Sequence, residues 1–135
     1  MTVSQFRPPH TTPEGLDIAE RVVQGTLVVA VTGEIDVDTA PALREAVRAA
    51  IVRTAGEACV VDLTEVTFLG SAGLAALVTA ARVAQARHEP LRIVVDSNRP
   101  VIRPIVVTGL DHLLAMYHSV EEALRADRGR ETETG

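Results

Sequence analysis

Hydrophobic and polar residues change their spacing several times along the chain, and each change marks a predicted element. Two strand-like runs, LDIAERVV (16–23) and TLVVAVTG (26–33), are joined at Gln24-Gly25, where glycine can supply the positive φ of a tight turn. The next segment, VDTAPALREAVRAAIVRT (37–54), has apolar residues at i, i+3, i+4, i+7 and i+8 instead. We therefore predict an antiparallel hairpin followed by an amphipathic helix.

The predicted first helix has signals at both of its ends. Asp38 or Thr39 can cap the amino terminus, because short polar side chains accept hydrogen bonds from the free amides there. Pro41 is tolerated in the first turn, and Gly56 can end the helix.

A strand and a helix then meet around Ser71. The apolar run ACVVDL (58–63) predicts a strand, and a helical stripe of apolar residues runs from Ser71 to about Arg87. The segment LRIVVD (91–96) predicts a fourth strand.

The carboxy-terminal part repeats this alternation in shorter pieces. RPVIRPIVVTGL (99–110) predicts a short helix or turn, which Pro104 should shorten or kink and Gly109 should end. LLAMY (113–117) predicts the last strand.

The last predicted helix, SVEEALRAD (119–127), opens with Ser119 and Glu122 at the spacing of a capping box. The predicted order is ββαβαβαβα. Strands that are apolar on both faces indicate a largely parallel sheet with right-handed helical crossovers. The fold class is therefore α/β: one mixed, mostly parallel sheet of about five strands, flanked by four helices.

Length and composition predict a single domain with polar ends. The chain has 135 residues, of which 47% are apolar, enough for one core and too few for two domains. Residues 1–15 and 126–135 are polar and aperiodic, so we expect mobile tails around a folded unit at 16–125.

Charge and residue content exclude several classes of function. The net charge is -5, no basic cluster suits nucleic acid or a membrane surface, and no lysine is present to serve a phosphate loop or a Schiff base. No run approaches the roughly 18 apolar residues of a membrane span, so we expect a cytoplasmic protein. Cys59 is the single cysteine and lies in an apolar run, and no histidines recur at ligand spacing. We predict a buried thiol, no metal site and no cofactor.

Ser71 stands between two glycines in FLGSAGLAALV (68–78), and the residues leave three interpretations open. It can be an N-cap whose hydroxyl accepts a hydrogen bond from the amide of Gly73 or Leu74. It can be a phosphoacceptor, because a helix amino terminus favours a phosphate. It can be a catalytic nucleophile, although Gly70 directly precedes it and the G-x-S-x-G spacing is not met.

Three stretches resemble one family in order and spacing. VVDLTEVTFLGSAGLAALV (60–78) resembles the STAS-domain signature of anti-sigma factor antagonists, close to V-D-L-s-x-V-x-F-x-D-S-[ST]-G-L. GEID with TAPALREAV (33–47) resembles the family's loop and first helix, and TGLDHLLAMYHSVEEAL (108–124) resembles its carboxy-terminal segment. The resemblance covers residues 16–125 and implies a STAS fold.

The resemblance also implies a binding switch and its partners. Unphosphorylated antagonists bind an anti-sigma factor and so free a sigma factor, and the anti-sigma factor is often an ATP-dependent serine kinase that ends this binding by phosphorylation. A phosphatase resets the serine. This chain would then be a substrate and not an enzyme. The alternative is a STAS module that never carries phosphate and acts as a scaffold or a subunit of a regulatory or transport assembly.

By position, Ser71 matches the family's phosphoacceptor and Asp36 the loop aspartate beside it. Two residues depart from the family pattern: Gly70 replaces its usual aspartate, and Ala72 replaces its Ser or Thr. The resemblance implies a partner-binding surface, and its expected members are Glu34, Asp36, Thr39, Gly70, Ala72 and Gly73. Glu34 and Asp36 can also be ordinary loop acids, and Thr39 merely a cap.

Overall fold

The computed structural model describes residues 15–54, 57–89 and 91–126. Its strands are β1 (Leu16–Val23), β2 (Thr26–Ile35), β3 (Cys59–Leu69), β4 (Leu91–Val94) and β5 (Ala115–Tyr117). Its helices are α1 (Ala40–Arg53), α2 (Ser71–Ala86), α3 (Arg99–Val107), a 3-10 turn at Leu110–His112, and α4, which occupies 120–126 of the described residues.

The five strands form one sheet in the order β1-β2-β3-β4-β5. β1 and β2 are antiparallel, and each later strand pairs in parallel with its neighbour. Gln24 and Gly25 both have positive φ, 51° and 81°, and Val23 pairs with Thr26 across this two-residue turn, as the hairpin prediction requires. The predicted fold class and element order are confirmed.

The sheet has helices on both faces, as its doubly apolar strands require. α1, α2 and α3 cover one face, and α4 covers part of the other. The main core lies under α1, α2 and α3 and includes Val29, Val31, Leu43, Val61, Leu77, Ile93 and Ile105. The smaller core lies under α4 and consists of Val28, Val60, Val94 and Ala123.

Two central strands are longer than predicted. β2 continues to Ile35 and β3 continues to Leu69, although polar residues interrupt the apolar pattern in the second half of each strand. The β2–β3 register shifts twice in this region. These irregularities let Val66 and Leu69 both reach the main core, a pattern that simple alternation does not give.

The helix ends agree with some of the predicted signals. Gly109 follows α3 with φ of 78°, the left-handed conformation of a helix stop. α3 continues past Pro104 to Val107. α1 ends at Arg53, and Gly56, its predicted stop, lies outside the described residues.

The predicted capping box before α4 forms in a modified way. The Ser119 hydroxyl accepts a hydrogen bond from the amide of Glu122 at 3.0 Å. The Glu122 carboxylate accepts one from the amide of His118, one residue before the expected Ser119. Apart from Gly15 and Ala126, the two predicted tails lie outside the described residues.

Cys59 is a free, buried thiol, as predicted. Burial raises its pKa to about 12, the nearby Glu20 carboxylate adds to this increase, and Arg53 opposes it. Glu20 is itself buried and forms an ion pair with Arg53, which joins the edge strand β1 to the end of α1. Within the described residues, none of the helices is both long and apolar enough to cross a membrane.

Gly73 sets how closely α2 lies on the sheet. A Cβ built on this residue would lie 2.5 Å from Cγ2 of Ile35 and 2.6 Å from Cδ1 of Leu69. Both neighbours are buried core side chains, so neither has free space to move into. The absence of a side chain at this position lets α2 contact the ends of β2 and β3.

We predict that Gly73→Ala destabilises the protein by about 1–3 kcal/mol, because the added methyl group overpacks this contact. The sign of the change in stability distinguishes overpacking from helix propensity. Propensity alone would stabilise the variant, because alanine in an unconstrained helix is favoured over glycine by about 1 kcal/mol. Urea denaturation measures the change, with Ala75→Ser at an exposed position of the same helix as the control. A variant as stable as the parent would contradict the packing argument.

Candidate functional site

The site forms where β2 and β3 end side by side. Ile35 and Leu69 are the last residues paired in this parallel ladder. One residue further on, the amide of Gly70 donates a hydrogen bond to the carbonyl of Ile35, at 3.0 Å. The loop from Asp36 to Thr39 and the start of α2 therefore lie next to each other at one edge of the sheet.

Ser71 is exposed and is the first residue of α2. Gly70 holds the N-cap position with an extended backbone, φ -91° and ψ -178°, and no side chain caps the helix. The interpretation of Ser71 as the N-cap is therefore wrong, because its backbone is already helical. The amide of Leu74 bonds instead to the carbonyl of Gly70.

The loop before α1 is fixed by two side chains. The Asp36 carboxylate accepts hydrogen bonds from the amides of Asp38, at 2.9 Å, and Thr39, at 3.0 Å. The Thr39 hydroxyl donates to the carbonyl of Glu34 and accepts from the amide of Asp36, both at 2.9 Å. The bond from the Thr39 amide, with a smaller contribution from Asp38, holds the pKa of Asp36 below its ordinary value.

Thr39 thus occupies the N-cap position of α1 without capping it through its side chain. Its hydroxyl ties the loop to the end of β2 instead, and the residue is 2% exposed. Asp38, the other predicted cap, stands before this position in the loop.

Gly33 gives the preceding part of β2 its shape. Its φ of +117° is one that residues with a side chain rarely adopt, and a Cβ there would overlap the carbonyl oxygen of Gly15. The β2–β3 register shifts between Gly33 and Glu34. This bulge precedes the exposed Glu34 and the loop that follows.

An open depression surrounds Ser71, and much of its lining is apolar. Val37 is 73% exposed and Phe68 is 49% exposed. The sequence analysis did not single out either residue. The lining residues are Asp36, Val37, Phe68, Gly70, Ser71, Ala72 and Ala75.

The predicted site residues fall into three groups in the structure. Glu34 is exposed and pairs in register with Phe68, whereas Thr39 and Gly73 are buried beneath the surface. The role of every predicted site residue toward a partner, including those that line the depression, stays a prediction. The remaining predicted residues line the depression together: Asp36, Gly70, Ser71 and Ala72.

Asn98 supports the strand that leads to the site. Its side-chain amide donates hydrogen bonds to the carbonyls of Leu63 and Val66, each at 2.8 Å. It thereby holds the irregular middle of β3, whose end positions Ser71. No local sequence pattern identified this residue, because the contact joins positions more than 30 residues apart.

The described residues hold no group of three or more His, Cys, Asp or Glu side chains arranged to bind a metal ion. The chemistry of the depression therefore comes from one exposed hydroxyl, one fixed carboxylate and an apolar surface.

A family model described as "Mlab, STAS domain" matches residues 18–115, which include the whole depression. The anti-sigma-F factor antagonist RsfB of Mycobacterium tuberculosis is 34% identical over 118 residues, or 87% of this chain and 93% of RsfB. These matches span the hairpin, the central strands and α2.

Solved structures are similar over comparable lengths. An anti-sigma factor antagonist from Mycobacterium paratuberculosis is 34% identical with a TM-score of 0.76, and the match covers 88% of this chain and 99% of that one. Unphosphorylated SpoIIAA shares the fold at 22% identity with a TM-score of 0.59, over 85% of this chain and 97% of SpoIIAA. The two relatives that are 34% identical to this chain are both named as anti-sigma factor antagonists, and the chain belongs to the STAS domain family.

Proposed function

We propose that this protein is an anti-sigma factor antagonist switched by phosphorylation of Ser71. The observation that carries the proposal is the exposed Ser71 at the start of α2, in a depression that it shares with Asp36 and two exposed apolar side chains. The unphosphorylated surface binds an anti-sigma factor and so frees a sigma factor. The 34% identity to a named antagonist supports this assignment.

The hydroxyl of Ser71 is better placed for modification than those of its neighbours. Thr39 is buried, and its hydroxyl donates to the carbonyl of Glu34. The Thr64 hydroxyl donates to Asp62 at 2.8 Å, and the Thr67 hydroxyl makes a longer bond, 3.3 Å, to the carbonyl of Gly33. The exposed Ser71 is therefore the hydroxyl that we expect a kinase to reach.

A phosphate at Ser71 would lie in a favourable local field. The amides of the first helical turn lack partners within the helix, and the helix dipole favours negative charge at its amino terminus by about 0.3–1 kcal/mol. Modification would therefore leave α2 folded. The switch acts on the surface charge and not on the fold.

The charge itself accounts for the loss of partner binding. Phosphorylation adds about -1.5 to -2 charges at neutral pH. If an acidic group of the anti-sigma factor lies about 4 Å away in the complex, its repulsion costs on the order of 4 kcal/mol per unit charge at an effective dielectric constant of 20. Because Asp36 lines the same depression, the phosphate increases an existing negative potential. Half of that energy already weakens binding by more than tenfold.

The remaining parts of the switch belong to other proteins. The anti-sigma factor is a serine kinase that supplies ATP, and a phosphatase resets Ser71. The absence of lysine from this chain fits a kinase substrate without a nucleotide-binding loop of its own. Because sigma factors direct RNA polymerase, the protein acts in the cytoplasm. It binds the anti-sigma factor and is a substrate of the kinase, so it has no catalytic role.

The first prediction concerns the site of modification. Incubation with ATP and candidate anti-sigma factor kinases from the same organism should place one phosphate on Ser71 and none on the Ser71→Ala variant. Mass spectrometry of the intact and digested protein measures this. Phosphate only on Thr39, Thr64 or Thr67 would refute the assignment. Absence of phosphate with every kinase would favour the scaffold alternative.

The second prediction concerns affinity. Ser71→Glu should weaken binding to the same kinase by about tenfold or more, because it places negative charge where the phosphate would be. Ser71→Ala should bind as the parent does and stay bound after ATP is added. Calorimetry at low and high salt measures the affinity of both variants. Screening at high salt should reduce the difference between their affinities. Equal affinities at low salt would refute the charge argument.

The third prediction concerns the loop. Thr39→Val removes the hydrogen bonds of the hydroxyl to the carbonyl of Glu34 and to the amide and carboxylate of Asp36, so stability should fall by about 1–3 kcal/mol. Partner affinity should fall as well, because the loop carries Asp36 and Val37. Thr39→Ser keeps the hydroxyl and serves as the control. Unchanged affinity in a destabilised Thr39→Val variant would show that the loop does not contact the partner.

A further inference from the structure

Asn98 directly precedes α3, but its side chain contacts β3. It occupies the N-cap position, where an asparagine side chain usually accepts a hydrogen bond from an amide of the helix. Here the side chain makes no capping hydrogen bond to α3. Both hydrogens of its amide nitrogen are donated instead to the carbonyls of Leu63 and Val66, each at 2.8 Å. The contact with β3 therefore replaces the usual capping role of this residue type.

The two hydrogen bonds lie just beyond the end of a neighbouring strand. β4 pairs with β3 as far as Val94, which is opposite Asp62, whereas β3 itself continues to Leu69. Beyond Asp62 the strand partner of β3 is β2, and the register between these two strands shifts twice. Asn98 follows β4 in the chain and holds β3 where β4 no longer does.

The backbone of Asn98 is itself fixed on both sides. Its amide donates a hydrogen bond to the carbonyl of Val95 at 2.9 Å, which closes a turn after β4. Its carbonyl accepts hydrogen bonds from the amides of Val101 and Ile102, at 3.1 and 3.0 Å, in the first turn of α3. Val101 is buried in the main core. Because this backbone is fixed, the side chain can hold β3 in one position.

The segment that Asn98 holds ends beside the phosphoacceptor. Val66 and Leu69 are both buried, so the backbone between them is packed against the core. Gly70 alone separates Leu69 from Ser71, the first residue of α2. Asn98 lies outside the lining of the depression. Its effect on Ser71 would therefore pass through the end of β3 and not through contact with a partner.

We infer that Asn98 is a positioning residue for the phosphorylation of Ser71, because it fixes β3 at Leu63 and Val66 and so sets where the hydroxyl stands. The inference rests on the proposed function. In that reaction the Ser71 oxygen bonds to the γ-phosphorus of ATP, the bond from this phosphorus to the bridging oxygen of ADP breaks, and the hydroxyl proton passes to a base of the kinase.

Phosphoryl transfer is more sensitive to such positioning than partner binding is. The attacking oxygen has to align with the phosphorus, and a misplacement of about 1 Å can slow a reaction by about 10²-fold. Binding energy is instead distributed over contacts that Asn98 does not make. Loss of the two hydrogen bonds should therefore lower the rate of transfer more than the affinity.

Two variants and one control test this role. Asn98→Asp has nearly the same shape and is also favoured at the N-cap, but its carboxylate has no hydrogen to donate to the two carbonyls. Asn98→Ser is favoured at the N-cap as well, but its shorter side chain has a single hydrogen and cannot make both bonds. Ser119→Ala is the control, because it removes a hydrogen bond at the start of α4, on the other face of the sheet.

Two measurements are made at a temperature at which thermal melts show every protein to be folded. Hydrogen exchange measured by NMR follows the amide of Gly70, whose hydrogen bond to the carbonyl of Ile35 reports the position of the β3 end. Steady-state kinetics with ATP and the kinase that phosphorylates the parent give kcat and KM for the protein substrate.

Both Asn98 variants should exchange the Gly70 amide about tenfold faster than the parent does. Their kcat should fall by about tenfold or more, while KM should stay within about threefold of the parent value. Ser119→Ala should match the parent in the exchange of the Gly70 amide, in kcat and in KM.

Four results overturn the inference. They are an unchanged kcat in Asn98→Asp, an increase in KM alone, a loss of kcat without faster exchange at Gly70, and an equal loss of kcat in Ser119→Ala. The proposed function fails separately, if no anti-sigma factor kinase phosphorylates the parent at Ser71. That result also overturns the positioning role, while the exchange of the Gly70 amide still shows whether Asn98 holds the end of β3.

Discussion

The close approach of α2 to the ends of β2 and β3 is the constraint on which the rest of the site depends. Gly73 permits this approach because any side chain there would collide with Ile35 and Leu69. The hydrogen bond from the amide of Gly70 to the carbonyl of Ile35 then fixes the turn that begins the helix. Ser71 is exposed because the residues on either side of it are held against the sheet.

Several features of this arrangement were predictable from local patterns. Helical periodicity and turn residues predicted the element order, the hairpin at Gln24-Gly25 and the helix that starts at Ser71, and the structure confirms them. The family signature predicted that the loop of Asp36 lies beside Ser71, and both residues line one depression. In each case the information lies within a few neighbouring residues or in a motif of known order.

Other features depend on contacts that a single sequence does not display. The extension of β3 to Leu69 relies on register shifts against β2 and on Asn98, a residue distant in sequence. The N-cap position that one interpretation gave to Ser71 is occupied by Gly70, because the helix starts one residue earlier than a serine cap requires. The exposure of Phe68 was also not predictable from the sequence, because an aromatic residue near the end of a strand is typical of a core position.

The reactivity of the Cys59 thiol can report local unfolding of this protein. A thiol reacts as the thiolate, and burial together with a pKa of about 12 leaves that form scarce in the native state. An alkylating reagent therefore modifies the chain mainly when local or global unfolding exposes β3. The rate of labelling then gives the free energy of that unfolding. Because Cys59 begins the same strand that ends beside Ser71, a change in the labelling rate when a partner binds near Ser71 would show that binding is transmitted along β3 to the opposite end of the strand.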